Sequence, residues 1–244
     1  MLINDRSKLS NHLLATLSDL DWLKWKSNLQ LVELQMGEVL YESGVPMEHL
    51  FFPTTAIVSL LHILNDGDCT QIALVGRDGL IGVSVFMGDG STSSRAEVQQ
   101  GGMCYRINAK FVLTEFDTSV YIMKLMLKYT QTLITQMSQL AVCNRHHTIE
   151  QQFCRWLLLT LDQLESDTLL VTQEQISHHL GVRREGVTRA AGLLQKAGYI
   201  NYSRGHLTCK EREGIHSHSC ECYDVIKKEY DRLLPKIHHH EIHF

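Results

Sequence analysis

The sequence lacks the features that mark membrane-spanning and secreted proteins. Its 244 residues contain no uncharged apolar run of about eighteen residues, so no helix is predicted to span a bilayer. Asp5 and Arg6 stand where a secretory signal would need an apolar core. The seven cysteines form an odd set scattered through apolar stretches, which is poor material for a disulfide framework. We therefore expect a cytoplasmic protein with reduced thiols and no membrane partner.

Positive charge is scarce over the chain as a whole. The formal net charge is −4 at pH 7, which is unusual for a protein that neutralises the phosphates of a duplex. The segment from Arg183 to Arg212 differs, because it holds seven Lys or Arg and two acidic residues, Glu185 and Glu211. This local excess indicates a surface that could face a polyanion.

Proline is rare, with three in the chain, and neither proline nor glycine occurs from Ser119 to Asn144. Without these helix breakers, the segment is predicted to form one long helix. A stripe along it at alternating spacings of three and four is typical of a coiled-coil seam, with Asn144 as a polar register position. The stripe predicts pairing with a second chain, and the alternative is packing on the chain's own β domain. The predicted seam comprises Met123, Met126, Thr130, Leu133, Met137, Leu140 and Asn144.

The first half of the chain shows two patterns. Residues 4–29 have helical spacing with a start signal at Ser18, which predicts one or two short helices. Residues 31–107 consist of short apolar or alternating runs separated by glycine turns. Short strands at such close spacing predict an antiparallel sandwich or small barrel.

A helix-turn-helix pattern lies in the second half, after a helix predicted at 148–164. Thr172 with Gln175 three positions later has the form of a capping box, so a helix is predicted to start there. Gly181 ends this helix and supplies the left-handed backbone of a tight turn. A second helix is predicted from Arg184 to Lys196. Its predicted buried face consists of Val187, Ala191 and Leu194.

The other face of this second helix carries charge. A major groove admits one helix, whose first turns point side chains at base edges. Arg reaches both acceptors of guanine and Glu accepts from the cytosine amino group, so Arg184, Glu185 and Arg189 are candidates for base reading. Two short alternating strands around Arg204-Gly205 follow, in the form of a β wing. The order helix, turn, helix, wing predicts binding to duplex DNA.

At this point the chain resembles the Crp/Fnr family of transcription regulators over almost its whole length. The stretch GVRREGVTR (181–189) matches the family pattern Gly, any, Ser, Arg, Glu, Thr, Val, any, Arg across the turn and recognition helix, except that Arg183 replaces a common Ser and Gly186 the usual Thr. The resemblance implies a homodimer on a palindromic duplex site, and contact with RNA polymerase. It assigns base reading to Arg184, Glu185 and Arg189. Predicted contacts with the DNA backbone are Thr172, Gln173, Arg183, Thr188 and Arg204.

The resemblance also implies an α+β fold with three parts. A cyclic-nucleotide-binding-like β jelly roll with N-terminal helices is expected at 1–118, and a dimerisation helix at 119–145. A winged helix-turn-helix domain with a C-terminal extension is expected at 146–244.

The stretch at 79–98 resembles the phosphate cassette of the family's nucleotide site. Gly82 matches its start, and Arg95 with Ala96 its end, but Val83 stands where a Glu binds the ribose hydroxyl. Because valine cannot accept a hydrogen bond, we expect no control by cAMP in the family's mode. Arg95 is then either a ligand for another anion or a surface residue, and the effector is left unassigned.

Iron chemistry has little support in the sequence. No cysteine precedes Cys69, so the N-terminal cysteine cluster of an Fnr-type iron-sulfur sensor is missing. Haem ligation would rest on Cys69 and His62 alone, on predicted strands where such residues are more often core or surface. His146 and His147, at a helix junction, are interpreted as capping or packing residues.

One further segment is rich in soft ligands. His216, His218, Cys220 and Cys222 alternate with other residues and could capture zinc or copper, or be oxidised. The H-x-H and C-x-C pairs lack the C-x₂₋₄-C loop of zinc sites. We interpret them as an ordinary surface segment, with a metal or redox role as the alternative, and assign no metal ligand. A His-rich tail follows at 238–243.

Two other classes of function compete with regulation. One is a ligand, metal or redox sensor whose helix-turn-helix contacts protein instead of DNA. The other is an enzyme, but the sequence has no nucleophile elbow, phosphate-cradling glycine loop or zinc-hydrolase helix motif, so no catalytic residue is predicted. A homodimeric DNA-binding regulator is the leading hypothesis.

Overall fold

The computed structural model describes residues 10–234, so the His-rich tail at 238–243 lies outside it. Two short helices open the described chain, α1 (His12–Ala15) and α2 (Asp19–Lys26). The predicted start signal is confirmed, because the Ser18 hydroxyl accepts a hydrogen bond from the backbone N–H of Asp21. Trp22 and Trp25 of α2 are buried against the β domain.

An antiparallel β-roll follows, as predicted. One sheet has the strand order β1-β7-β3 and the other β2-β6-β4-β5. Apolar side chains of both sheets meet in a core that includes Val58, Ala96 and Cys104. A short helix lies between β5 and β6. The elements are β1 (Gln30–Leu34), β2 (Val39–Tyr41), β3 (His49–Pro53), β4 (Ile57–Ile63), β5 (Cys69–Val75), α3 (Ser84–Met87), β6 (Arg95–Gln100) and β7 (Gly102–Asn108).

The long helix is confirmed. After α4 (Ala109–Thr118), α5 runs unbroken over Val120–His146, capped by the Ser119 side chain. It lies along the β-roll, where the Tyr129 hydroxyl donates to the Leu80 carbonyl at 2.9 Å. The Leu74 N–H donates to Gln136 Oε1 at 3.1 Å. The fold is therefore α+β with a long central helix, as the sequence predicts.

The stripe on α5 does not form one continuous seam for a partner. Met126, Leu133 and Leu140 are 1%, 2% and 6% exposed, each in a different core cluster of the same chain. Thr130 is buried too, and its hydroxyl donates to the Met126 carbonyl. This part of the seam prediction is wrong, because these side chains pack on the chain's own domains. The stripe's other positions, Met123, Met137 and Asn144, are half-buried or exposed.

A different apolar stripe of α5 faces outward. Val120, Leu127 and Ile134 are 62%, 43% and 48% exposed, and Ala141 continues their seven-residue spacing. We call these four residues the outer stripe. Both stripes have helical spacing, so periodicity alone could not say which of them packs inside the chain.

The C-terminal domain is built on α6, whose Phe153, Trp156, Leu157 and Leu161 are buried as predicted. They pack with apolar residues of α7, α8, the small sheet and α10 in one core. The sheet has the strand order β8-β10-β9. The elements are α6 (Ile149–Leu161), β8 (Thr168–Leu170), α7 (Gln173–Leu180), α8 (Arg184–Lys196), β9 (Ile200–Ser203), β10 (His206–Cys209), α9 (Arg212–Ser217) and α10 (Cys222–Leu233).

The two domains are packed together over several elements. α10 packs along α5, and α7 packs on β5. At the domain boundary, Gln163 Nε2 donates to Asp78 Oδ2 at 2.9 Å. Burial alone would raise the pKa of Asp78, but hydrogen bonds from His12 and Gln163 outweigh it and lower that pKa. Within residues 10–234, no helix is both long enough and apolar enough to cross a membrane.

Candidate DNA-binding surface and effector region

The helix-turn-helix forms as its local sequence predicts. The Thr172 hydroxyl accepts from the Gln175 N–H, and the Gln175 side chain accepts from the Thr172 N–H, which completes the capping box. Gly181 ends α7 in the left-handed region with φ 64°. The Val182 side chain packs against the domain core beside the turn. α8 then begins at Arg184, so both helices have the predicted bounds.

The outer face of α8 is exposed at its N-terminal end. Arg184, Glu185 and Arg189 are all exposed, and α8 buries its opposite face through Val187 and Ala191. The predicted base-reading side chains therefore share one solvent-facing surface. Thr188, on the same surface, donates to Gln173 Oε1 at 2.7 Å and so ties α8 to the start of α7.

The predicted backbone-contacting residues surround that surface. Thr172 is exposed, although its hydroxyl is engaged in the capping box. Arg183 is exposed at the N-cap of α8. Arg204 is exposed at the wing turn, with φ 51°, a left-handed conformation that it shares with Gly205.

Two residues of the basic segment have specific structural roles. Arg212 is paired with Asp162 and donates to the Tyr223 hydroxyl at 3.2 Å, so it braces the domain core. Gly186, where the family pattern has Thr, lies under α6: a Cβ there would be 2.7 Å from Ile149 Cδ1. Any side chain at 186 would require Ile149 to move.

A histidine inside the C-terminal domain has an unusual environment. The His179 ring stacks on Trp156 with centroids 5.8 Å apart, and His179 Nδ1 has no hydrogen-bond partner. Burial, helped by the neighbouring His178, lowers the pKa of His179 to about 4. A charged ring would be poorly solvated there, so His179 is neutral at pH 7.

The predicted effector residues do not form one pocket. Ala96 is fully buried in the β-roll core, and because side chains alternate along β6, Arg95 points to the opposite face. Arg95 Nε donates to Glu42 Oε2 at 2.9 Å. It lines a cavity of about 270 Å³ between the β-roll and α7, together with Glu97 and His178. Arg95 therefore faces α7 and not the interior of the roll, which corrects the cassette assignment.

The start of the cassette lies elsewhere. Gly82 has φ 112°, and a Cβ there would lie 3.0 Å from Leu50 Cγ. Val83 packs against two apolar clusters at the start of α3. Leu133 of α5 joins the side chains that fill the inside of the roll. Near the end of the cassette, the hydroxyls of Tyr41 and Ser94 lie 3.4 Å apart.

Cys69 and His62 are not placed as a ligand pair. In the β4–β5 register, His62 is opposite Thr70 and Ile63 is opposite Cys69. Residues directly opposite share a face and neighbours alternate, so the Cys69 and His62 side chains point to opposite faces. This geometry removes the haem alternative based on these two residues.

The His/Cys segment at 216–222 divides in two. His216 Nε2 is 3.0 Å from Asp224 Oδ1, and His218 Nδ1 is 2.9 Å from the Gly214 carbonyl. Cys220 and Cys222 instead are buried, so the interpretation as a surface segment is wrong for them. They meet Cys143 and His147 from the end of α5. Local sequence patterns do not predict this set, because Cys143 and His147 are more than seventy positions from Cys220 and Cys222.

Fold and surface together define a class: a β-roll domain joined by a long helix to a winged helix-turn-helix whose recognition helix is exposed. Comparison with family models gives the same division. The cyclic nucleotide-binding domain model matches residues 31–119, and the Crp-like helix-turn-helix domain model matches residues 151–217. Together they span more than half of the chain. The chain belongs to the Crp/Fnr family of DNA-binding transcription regulators.

Solved structures show the same fold at low sequence identity. FixK2 from Bradyrhizobium japonicum is 16% identical with a TM-score of 0.69, covering 79% of this chain and 98% of its own. A putative regulator of the Crp/Fnr family from Eubacterium rectale is 16% identical with a TM-score of 0.67, covering 86% and 98%. The c-di-GMP-responsive regulator CLP from Xanthomonas campestris is 14% identical with a TM-score of 0.58, covering 75% and 94%. No curated protein sequence matches this chain significantly.

Proposed function

We propose that this chain is a sequence-specific transcription regulator that binds a palindromic duplex site as a homodimer. The observation that carries the proposal is the surface of α8, where Arg184, Glu185 and Arg189 are exposed to solvent. The preceding helix, α7, is capped at its start and ends in a tight turn at Gly181. A helix so presented can enter a major groove with its first turns against base edges. At a promoter, the bound protein contacts RNA polymerase. The proposal assigns no catalysis to the chain.

This surface has one set of side chains suited to reading bases and another suited to contacting phosphates. Arg184 and Arg189 can each offer paired donors to guanine, and Glu185 can accept from cytosine. Arg183 and Arg204, at its edges, supply charge toward phosphates, together with the backbone at the start of α7. The acidic balance of the whole chain does not oppose this, since screening limits charge effects to about 8 Å at physiological salt.

We assign dimerisation to the outer stripe of α5. Its members recur every seven residues on a helix of 27 residues, and Leu127 and Ile134 remain exposed in the single chain. Exposed apolar residues at this spacing form the a-type positions of a parallel coiled coil. Met123 and Met137 border the stripe, and Asn144 extends the bordering row near the C-terminal end. Pairing there would relate the two recognition helices by a two-fold axis.

We further propose that cyclic nucleotides do not control the protein in the family's mode. The interior of the roll is filled with apolar side chains, with Val83 in place of an acidic acceptor and Arg95 directed outward. A nucleotide placed there would bury its phosphate and ribose hydroxyl without the ionic and polar partners that offset desolvation.

Selection of bound duplexes from a random pool tests the proposal. The full chain is used alone, with cAMP and with cyclic di-GMP. An enriched palindrome in all three selections supports the proposal. Enrichment only with a nucleotide would overturn the ligand-independent part and leave DNA binding intact. No enriched sequence under any condition would favour the sensor hypothesis, in which the helix-turn-helix contacts protein.

A further inference from the structure

Four soft ligands meet where the long helix ends. Cys143 lies in the last turn of α5, and His147, four positions later, is the C-cap of that helix. Cys222 is the first residue of α10, and Cys220 lies two positions before it. One ligand atom from each residue lies within 4.8 Å of the other three. Cys143, Cys220 and Cys222 are buried together in a small cluster of their own. We call these four residues the Cys₃His cluster.

The distances fit a tetrahedron around one ion. With Zn–S bonds of about 2.3 Å and a Zn–N bond of about 2.0 Å, tetrahedral geometry places two sulfurs about 3.8 Å apart and a sulfur and nitrogen about 3.5 Å apart. Cys143 Sγ is 3.5 Å from Cys220 Sγ, and Cys222 Sγ is 3.6 Å from His147 Nδ1. The side chains are therefore already close to coordination spacing.

The histidine also has the outer partner that a metal ligand commonly has. His147 Nδ1 faces the thiols, while His147 Nε2 lies 3.4 Å from Glu221 Oε2. A carboxylate on the far nitrogen fixes the ring orientation and keeps the proton away from the metal-facing nitrogen. Glu221 stands between two of the cysteines in sequence, so the C-x-C segment supplies two ligands and this outer carboxylate.

A simple disulfide explains less of this arrangement. It would join Cys143 and Cys220, and it would leave Cys222 and the His147–Glu221 pair without a role. Three sulfurs and one imidazole nitrogen form a donor set typical of structural zinc sites.

We propose that the Cys₃His cluster is a tetrahedral zinc site. His147 is also the C-cap of α5, and Thr148 caps α6 directly after it. A bound ion would therefore fasten the junction between the long helix and the C-terminal domain to the start of α10. The site stands on its own ligands and does not depend on whether the protein binds DNA.

Cobalt titration of the reduced, metal-free full chain tests the site. Co²⁺ in a tetrahedral thiolate site gives intense visible bands and a sulfur-to-cobalt charge-transfer band, which imidazoles of the His-rich tail cannot give. We expect the charge-transfer band to saturate at about one Co²⁺ per chain and to disappear when zinc is added. Cys220→Ser and Cys222→Ser should each lose most of it. Cys209→Ser is the matched control, since Cys209 is buried in the same domain outside the cluster.

Two further measurements keep the test decisive if a cysteine variant misfolds. Glu221→Gln retains all four ligands and should weaken Co²⁺ binding about 10-fold, the usual effect of losing an outer partner. Mass spectrometry of the protein purified without reductant should find bound zinc. Three results would each overturn the proposal. The wild-type chain could give no thiolate band, the band could persist in folded Cys220→Ser, or a Cys143–Cys220 disulfide could be found in place of metal.

Discussion

The exposed side chains of α8 divide into those that we propose read DNA and those that hold the helix in place. Arg184 and Arg189 have no ion-pair partner among residues 10–234, so their guanidinium groups are available to a ligand. Thr188 is engaged with Gln173 and the Arg184 carbonyl, which couples the two helices of the motif. The proposed base-reading residues therefore project from a locally braced surface.

Arg184→Gln should reduce specificity more than general affinity. A bidentate arginine–guanine contact contributes about 1–3 kcal/mol of discrimination, equivalent to about 5- to 150-fold. Anisotropy titrations at one salt concentration should show about this loss on the selected duplex and a much smaller loss on a scrambled one. Lys228→Gln removes the same charge at an exposed position of α10 and should change the affinity for neither duplex. Equal losses on both duplexes would contradict base reading by Arg184.

Two glycines of the helix-turn-helix should respond to alanine in opposite ways. Gly181 has φ 64°, and an added Cβ would lie 2.6 Å from Thr70 Oγ1, so Gly181→Ala should cost about 1–2 kcal/mol or more. Gly192 lies inside α8 with open space around it, so Gly192→Ala should stabilise by about 0.5–1 kcal/mol. Thermal unfolding should show Tm shifts of opposite sign. Equal shifts would show that the turn does not require its left-handed residue.

His179 should make the protein less stable in mild acid. The pKa of His179 is about 4 in the folded chain and 6.5 ordinarily. Between these pH values the unfolded chain is protonated at this residue and the folded chain is not, so acid favours unfolding. Stability should fall by about 3 kcal/mol in total as pH decreases from 6.5 to 4. His179→Phe retains the stacking on Trp156 and should flatten urea-unfolding profiles over this window. The exposed His178 gives the control, His178→Gln, and an identical slope in all three proteins would refute this role.

At the scale of elements, α5 serves two surfaces at once. Its inner face joins three apolar clusters of the chain through Met126, Leu133 and Leu140. Its outer stripe remains uncovered within residues 10–234. Substitutions on the two faces should consequently differ in kind, one affecting folding and the other association.

Leu127→Gln with Ile134→Gln should convert the proposed dimer into a folded monomer. Both side chains are about half exposed, so the substitution removes apolar area available to a partner without opening a cavity. Analytical ultracentrifugation should show half the mass, with circular dichroism unchanged. Lys128→Gln, exposed beside the stripe, should remain dimeric. Leu133→Ala should instead destabilise the fold by about 2–5 kcal/mol. A double variant that stays dimeric would place the seam elsewhere.

For the whole molecule, the proposed two-fold symmetry would determine which DNA sites can be bound. Two recognition helices of a two-fold dimer lie about 34 Å apart, one helical turn of DNA. The domains of each chain are packed together through α7 and β5, and α10 and α5, so a large reorientation of one helix would break those contacts.

Half-sites moved apart by about five base pairs should therefore lose binding, because they then face opposite sides of the duplex. Gel shifts on the selected palindrome, with five or ten added base pairs, should show the loss at five. The ten-pair insertion keeps the helical face but not the separation, and it should also bind weakly. Undiminished affinity at five added pairs would rule out a rigid two-fold dimer.

The sequence by itself determined the parts of the protein that depend on near neighbours. The capping box at Thr172, the turn at Gly181 and the bounds of α8 follow from residues within one or two helical turns. The absence of Gly and Pro similarly determined one long helix from 120 to 146. The family pattern across 181–189 lies within this local motif, so the sequence also indicated DNA binding.

Only the tertiary structure decided which surfaces and distant residues meet. Both stripes of α5 have helical spacing, and packing against three clusters selects the inner one. The face of β6 that carries Arg95 depends on pairing with β4, and the Cys₃His cluster joins residues 77 positions apart in Cys143 and Cys220. Local patterns carry no information on such contacts, since they form only when separate elements pack to bury their apolar surfaces.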